Sequence, residues 1–137
     1  MRLQPIINRL QGQGFVTIGG ALEYADLKSL PGKLPAAFVV PQNKSAAASA
    51  RMGVTDQKVS ALFAVVIIVP AKRAGSTLVA TDLEEFEAKV INQLVGWVHP
   101  DSQQPTEMAD AAALSVDGTA FTWAIRFRTS YHIRKGP

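Results

Sequence analysis

The sequence contains no cysteine and only two histidines, His99 and His132. Without thiols the chain cannot form disulfides or use thiolate chemistry, which excludes a secreted disulfide-bonded scaffold. Neither histidine has an acidic residue at metal-ligand spacing, so each is interpreted as a surface or packing residue. Walker A, HExxH and GxSxG motifs are missing as well. We therefore expect a protein that is not an enzyme and has no catalytic residues, no cofactor and no bound metal.

Long apolar runs are also missing. The longest run, Ala61 to Pro70, is about half the length that a transmembrane helix needs. Residues 1–11 lack the continuous apolar segment of a secretory signal peptide. From these two absences we expect a protein that is made and kept in the cytoplasm and has no membrane contact.

Two local patterns have ordinary structural explanations. Gly12-Gln13-Gly14 begins like a dinucleotide-binding loop, but Thr17 stands where the third glycine belongs and a helix, not a strand, precedes it. We interpret these glycines as turn residues. Four acids cluster where a helix is predicted to begin, and a helix dipole favours negative charge there, so a metal site is not predicted. These acids are Asp82, Glu84, Glu85 and Glu87.

The composition is that of one folded domain. The chain has 137 residues, of which 47% are hydrophobic and 18% charged, as in globular proteins of this size. The net charge of +3 is mildly basic, which by itself gives little support for nucleic-acid binding. We predict a single domain over residues 1–137.

The strongest pattern in the chain covers residues 119–133. Bulky apolar residues occupy most odd positions from Phe121 to Ile133, and cations occupy several even positions from Arg126 onward. This period of two predicts one long β-strand with an apolar face and a basic face. At about 3.3 Å per residue it would extend nearly 50 Å, so we expect it to bend, to contain a bulge or to pass beyond its sheet. Such a strand is a candidate for pairing with a neighbouring subunit.

A second long strand is predicted over residues 57–69. One of its faces is apolar throughout, and the other becomes apolar toward the carboxyl end, which is typical of a central strand. Pro41 follows a short buried strand, and because proline cannot donate to a sheet ladder, pairing is expected to end there or to lie on an edge. Other strands are predicted at residues 15–18, 36–40 and 112–116, with a hairpin turn at Asp117-Gly118.

Apolar residues at helical spacing predict an amphipathic helix over residues 2–11 and a main helix from Leu83 to about Trp97. Thr81 and Glu84 form a capping-box sequence at the start of the main helix. A short helix is predicted over residues 21–30. Residues 42–56 lack bulk and periodicity, so we expect an exposed, mobile loop that is functional or becomes ordered on binding.

The basic residues of this loop and of the two long strands are the candidate interaction residues. A solvated strand face that discourages edge aggregation explains them as well as a binding surface does. Phosphate binding by a small basic domain is a second possible function. The candidates are Lys44, Arg51, Lys58, Arg126, Arg128, His132 and Arg134.

Several segments carry a common signal. They are Leu34 to Pro41, Phe63 to Val65, Leu94 to Trp97 with Pro100, the Asp117-Gly118 turn and Trp123 to Phe127. Together they resemble the tail terminator proteins of long-tailed bacteriophages, the minor-tail-protein-U-like family. The resemblance covers nearly the whole chain in length and element order.

The resemblance implies an α+β fold, an α/β sandwich whose mixed, mostly antiparallel sheet of four to five strands packs against the long helix and the amino-terminal helix. It also implies a structural virion protein that forms a homo-hexameric ring on the head-proximal end of the tail tube. The implied partners are the tail tube protein, a neck or head–tail connector protein, and phage DNA passing through the lumen. The alternatives are a neck or head–tail completion protein and a small basic nucleic-acid-binding domain.

Overall fold

The computed structural model describes residues 1–25, 33–49, 51–74, 77–80, 82–116 and 119–136, with the backbone alone for 72–74 and 77–80. The predicted Asp117-Gly118 turn, the proposed cap Thr81 and the second half of the predicted helix 21–30 lie outside these residues. The elements in chain order are α1 (Gln4–Leu10), β1 (Thr17–Gly19), α2 (Ala21–Ala25), β2 (Ala36–Ala46), β3 (Thr55–Ala74), β4 (Thr77–Ala80), α3 (Leu83–Leu94), β5 (Glu107–Val116) and β6 (Ala120–Lys135).

The predicted α+β class and mixed, mostly antiparallel sheet are confirmed. Five strands lie in the order β1-β2-β3-β6-β5, and β4 pairs with the far end of β3. β1 runs parallel to β2, whereas the other described pairs are antiparallel. No helix among the described residues is long and apolar enough to cross a membrane.

β3 and β6 form the centre of the sheet. They pair without a register shift from Thr55 opposite Lys135 to Pro70 opposite Ala120. The long strand predicted near the carboxyl end therefore has a long partner strand and no bulge along this pairing. β3 lies between β2 and β6, and both of its faces are buried from Phe63 to Val69, which confirms the predicted central strand.

The main core lies between the sheet and the helices α1 and α3. α3 buries residues four positions apart, Phe86, Val90 and Leu94, and α1 buries Ile6 and Leu10, as amphipathic helices do. These side chains meet the apolar face of the sheet, where the largest buried residues are Phe63, Val65, Ile67, Ile125 and Phe127. The opposite sheet face has a smaller cluster around Phe38, Val66 and Ile68.

Polar contacts join the two helices to the loop that follows α3. The guanidinium of Arg9 donates to the Gln93 carbonyl oxygen at 2.9 and 3.1 Å and lies 5.3 Å from the ring centre of Trp97. His99 is buried, with Nε2 2.7 Å from the Arg2 carbonyl oxygen, and its Nδ1 accepts from the backbone N–H of Asp101. Because Nδ1 accepts, Nε2 carries the proton and donates. His99 is thus a packing residue, one of the two roles, surface or packing, that were predicted for it.

The bounds predicted for the loop 42–56 were wrong. β2 continues to Ala46 and β3 begins at Thr55. A register shift between Pro41 and Asn43 lets the pairing continue past the proline, because a bulge leaves one residue outside the ladder. β1 pairs with β2 only as far as Phe38, so Pro41 lies on an edge, which was one of the two predicted outcomes.

The main helix begins at Leu83, as predicted, but ends earlier than predicted. Its N-cap is Asp82, with a φ of 62° and no side-chain cap hydrogen bond, and its last residue is Leu94. Gly96 follows with a φ of 84°, a left-handed conformation that is typical of a chain leaving a helix at glycine. The helix therefore ends before Trp97.

Candidate functional site

The two central strands extend beyond the rest of the sheet at one end. β5 pairs with β6 only as far as Arg128, and the next positions are covered by a loop through the bond from the Gln103 N–H to the Ser130 carbonyl oxygen, at 3.0 Å. β2 covers β3 as far as Val59, and the Ala47 N–H donates to the Lys58 carbonyl oxygen at 2.9 Å. Beyond these points β3 and β6 continue as a two-stranded ribbon. We call residues 51–58 and 131–135 the ribbon tip.

Asp56 holds the ribbon tip together. Its carboxylate lies 2.9 Å from Nδ1 of His132, 3.4 Å from Nε of Arg134 and 3.8 Å from Nε of Arg51. The hydrogen bond from His132, reinforced by the charge of Arg134, keeps the pKa of Asp56 below its usual value. The Asp56 N–H donates to Oγ of Ser49 at 2.9 Å. Three predicted candidates, Arg51, His132 and Arg134, therefore meet at one acid.

Arg126 and Arg128 lie on the same strand but outside the tip, and both have acidic partners. Arg126 makes a two-point contact with Asp110, which lowers the pKa of that carboxyl and raises the pKa of the guanidinium. Nε of Arg128 lies 3.2 Å from the Glu107 carboxylate. Both acids stand directly opposite their arginines in the β5–β6 register. This part of the predicted basic face is therefore charge-balanced.

The acids Asp56, Glu107 and Asp110 were missed as site residues. The predicted strand 112–116 began too late, since β5 begins at Glu107. Extending it back toward Glu107 across residues 107–111, which alternate poorly but contain no proline or glycine, would have placed two acids opposite the basic face. Cross-strand neighbours of opposite charge attract each other, and this register was the available signal.

The two lysine candidates lie in different places. Lys58 is exposed, stands opposite His132 in the register and has no ion-pair partner among the described residues, so it belongs to the ribbon tip. Lys44 is exposed on the β2 edge, opposite Ala61. Partial burial, together with the nearby Lys44, lowers the pKa of the Met1 ammonium.

The ribbon tip combines an excess of positive charge with exposed apolar side chains. Its cations are Arg51, Lys58, Arg134 and Lys135, and Asp56 is its one carboxylate. Met52 is 99% exposed and Ile133 is 44% exposed. Methionine and arginine are enriched at protein interfaces. The tip is therefore suited to binding an acidic protein surface.

The remaining described surface includes a depression lined mostly by apolar side chains. The part of the chain that the structure describes has no group of three or more potential metal ligands. The depression of about 290 Å³ on the sheet face opposite the helices has a mostly apolar lining that includes Val40, Val66 and Leu114. The two charged side chains in the lining, Arg126 and Asp110, bind each other. Its chemistry is that of a packing surface.

Comparison with known proteins places the whole chain in one family. Residues 1–137 match the family model described as "Phage tail terminator protein". No curated protein sequence matches the chain significantly. The fold is similar to that of a chain in a solved structure described as "Virion of native gene transfer agent (GTA) particle", with a TM-score of 0.55 and 16% sequence identity. The alignment covers 93% of this chain and 92% of that chain, and at this identity the likeness concerns the fold.

Proposed function

Because the chain belongs to the phage tail terminator family, we propose that its copies form a ring that caps the head-proximal end of the tail tube. In this proposal the ring stops the addition of tube subunits and provides the surface to which the head or neck attaches. We propose six copies per ring, assembled in the host cytoplasm and retained in the virion. The protein acts by binding alone and has no catalytic activity.

The ribbon tip is the observation on this chain that supports a ring. A cyclic ring needs heterologous contacts, in which one patch of a subunit meets a different patch of the next. The tip lies past the ends of the β2 and β5 pairings, carries an excess of described cations and exposes Met52 and Ile133. Exposed groups of this kind contribute little to the stability of their own domain and are available to bind a neighbouring molecule.

The nucleic-acid-binding alternative is less well supported. Arg126 and Arg128, the cations that suggested it, are neutralised by Asp110 and Glu107. Each phosphate contact requires a cation that is free to displace a counterion. We therefore propose that phage DNA passes through the ring lumen without sequence-specific binding.

The ring and its capping role can be tested with purified protein. The mass in solution and on isolated tails should be a multiple of the chain mass, and six copies would confirm the proposed number. Adding the protein to polymerising tail tube protein should shorten the tubes. A protein that remains monomeric in both settings and leaves tube length unchanged would contradict the proposal.

A neck or head–tail completion protein would share the ring but would bind one layer nearer to the head. Copurification separates the two functions, because a terminator should be retained on tails assembled without heads. Recovery only with portal-side proteins would favour the completion protein instead.

A further inference from the structure

We propose that the ribbon tip of one copy docks on the first turn of α3 in the adjacent copy, so that the ring closes through oppositely charged ends of the same chain. This inference rests on the proposed ring and names the surfaces that would form it. The partner is a second copy because the chain carries both complementary surfaces.

The acidic surface is formed by residues 82–87. Asp82, Glu84 and Glu85 are exposed, and among the described side chains of this region only Lys89 offers a compensating cation, 3.2 Å from Glu85. Asp82 and Glu84 have no ion-pair partner among the described residues. At the ribbon tip, four cations face one carboxylate. Counted over the described side chains, the two surfaces therefore carry opposite charge excesses.

The two surfaces cannot bind each other within one chain. Glu87 accepts a hydrogen bond from Nε1 of Trp123, and Trp123 pairs with Ile67 on β3. Asp56, at the tip, lies eleven residues earlier on the same strand, a separation of about 36 Å along the sheet. Among the described side chains, neither surplus has enough opposite charge beside it to be neutralised within the chain. A contact between two different patches is heterologous, and its repetition produces a closed ring when the rotation fits.

The apolar residues of the tip favour a protein partner over nucleic acid. Met52 is almost fully exposed and Ile133 is nearly half exposed. A phosphate backbone has no apolar surface with which either side chain could pack. Asp56, in the middle of the tip cations, would also repel phosphate. On the acidic surface, Leu83 is half-buried between Asp82 and Glu84 and supplies apolar area to the contact.

Charge reversal tests the docking. One variant carries Lys58→Glu and Lys135→Glu, two exposed tip residues that have no ion-pair partner among the described residues. A second carries Glu84→Lys and Glu85→Lys, and a third carries all four changes. Multi-angle light scattering across a concentration series, with and without tail tubes, measures the assembled mass. Lys33→Glu, an exposed change elsewhere, is the control for altered net charge.

Each two-residue variant should weaken the copy–copy contact by at least about tenfold, which corresponds to about 1.4 kcal/mol. The four-residue variant should restore the ring, because the charges are again complementary, and Lys33→Glu should leave it intact. Circular dichroism and the urea midpoint verify that each variant is folded.

The outcomes separate this inference from the proposed function. If the unaltered chain forms rings and the two-residue variants do so equally well, the docking is wrong while the ring remains. The docking is also wrong if the four-residue variant fails to recover, or if the tip variant loses only DNA binding. If the unaltered chain forms no ring even on tubes, the proposed function fails and the docking fails with it.

Discussion

Phe127 and Trp123 lie on the same face of β6 but differ in their surroundings. Phe127 is fully buried and stacks on Phe63 with ring centres 5.5 Å apart. Trp123 is only half-buried, and its Nε1 donates to the Glu87 carboxylate. Burial therefore decreases along this face although both residues are aromatic. How much an aromatic residue contributes to the free energy of folding depends on its burial. The alternation of apolar and polar residues in the sequence does not show this difference in burial.

We expect Phe127→Ala to reduce the free energy of unfolding by about 3–5 kcal/mol, because it leaves a cavity in the main core. Trp123→Ala should cost less, roughly 2 kcal/mol, since part of the indole remains in contact with solvent. Urea unfolding of both variants measures the difference. Trp123→Phe is the control for the lost hydrogen bond and should cost about 1 kcal/mol. A larger loss for Trp123→Ala than for Phe127→Ala would show that this ranking is wrong.

At the scale of elements, the contact between α1 and α3 depends on a side chain that reaches a helix end. Arg9 binds the Gln93 carbonyl oxygen in the last turn of α3 and covers the ring of Trp97. The carbonyl groups of a last helical turn lack intrahelical partners and carry partial negative charge. Arg9, a residue of α1, therefore supplies the hydrogen-bond donor for a carbonyl group in the last turn of α3.

Arg9→Ala should lower the free energy of unfolding by about 1–2 kcal/mol through loss of the charged hydrogen bonds and of the stacking on Trp97. Arg9→Lys should recover only part of this, because an ammonium group lacks the planar fork that contacts the carbonyl twice. Thermal and urea unfolding measure both variants. Equal stability of Arg9→Lys and the unaltered chain would contradict the two-point contact.

The end of the β3–β6 ribbon should respond to acid through Asp56. Its pKa is lower in the folded chain than in the unfolded chain, so its stabilising contribution is complete above the ordinary value of about 4 and is lost as pH falls through the folded pKa. Asp56→Asn should therefore be less stable than the unaltered chain at neutral pH. The difference should shrink as pH falls below about 4. Urea midpoints across pH measure it, and a difference independent of pH would contradict the role of the carboxylate.

At the scale of the whole molecule, the described charge is unevenly distributed. The sheet face near Arg126 and Arg128 is balanced by acids on β5. Among the described residues, the ribbon tip has an excess of positive charge and the first turn of α3 has an excess of negative charge. The two surfaces lie far apart along the strand direction of the sheet. A contact between such exposed surfaces depends on ionic strength, because charges outside the core are screened by salt.

We expect rising salt to dissociate the proposed ring while the subunits remain folded. At about 1 M salt the screening length falls to roughly 3 Å, so attraction between the charged ends is largely lost. Light scattering should show a decreasing mass between about 0.1 and 1 M sodium chloride, with an unchanged circular dichroism spectrum. A ring mass that does not depend on salt would indicate a mainly apolar contact instead.

Sequence periodicity by itself determined the long strands, the two main helices and the central position of β3. Side chains return to the same face every two residues in a strand and every 3.6 residues in a helix. Both periods can therefore be recognised in the sequence without knowing which elements pack beside the segment. The bounds of β2 and β5 could not be predicted as well. A register shift after Pro41 and two irregularities in β5 interrupt the alternation of these strands.

The electrostatic character of the candidate site was decided by the tertiary structure alone. Arg126, Arg128, His132 and Arg134 formed one basic series in the sequence, but the strand register divides them between Asp110, Glu107 and Asp56. Those acids are 16 to 78 residues away along the chain. Whether a cation is free or neutralised depends on which strand lies beside it, and that neighbour is chosen by packing and register rather than by local sequence.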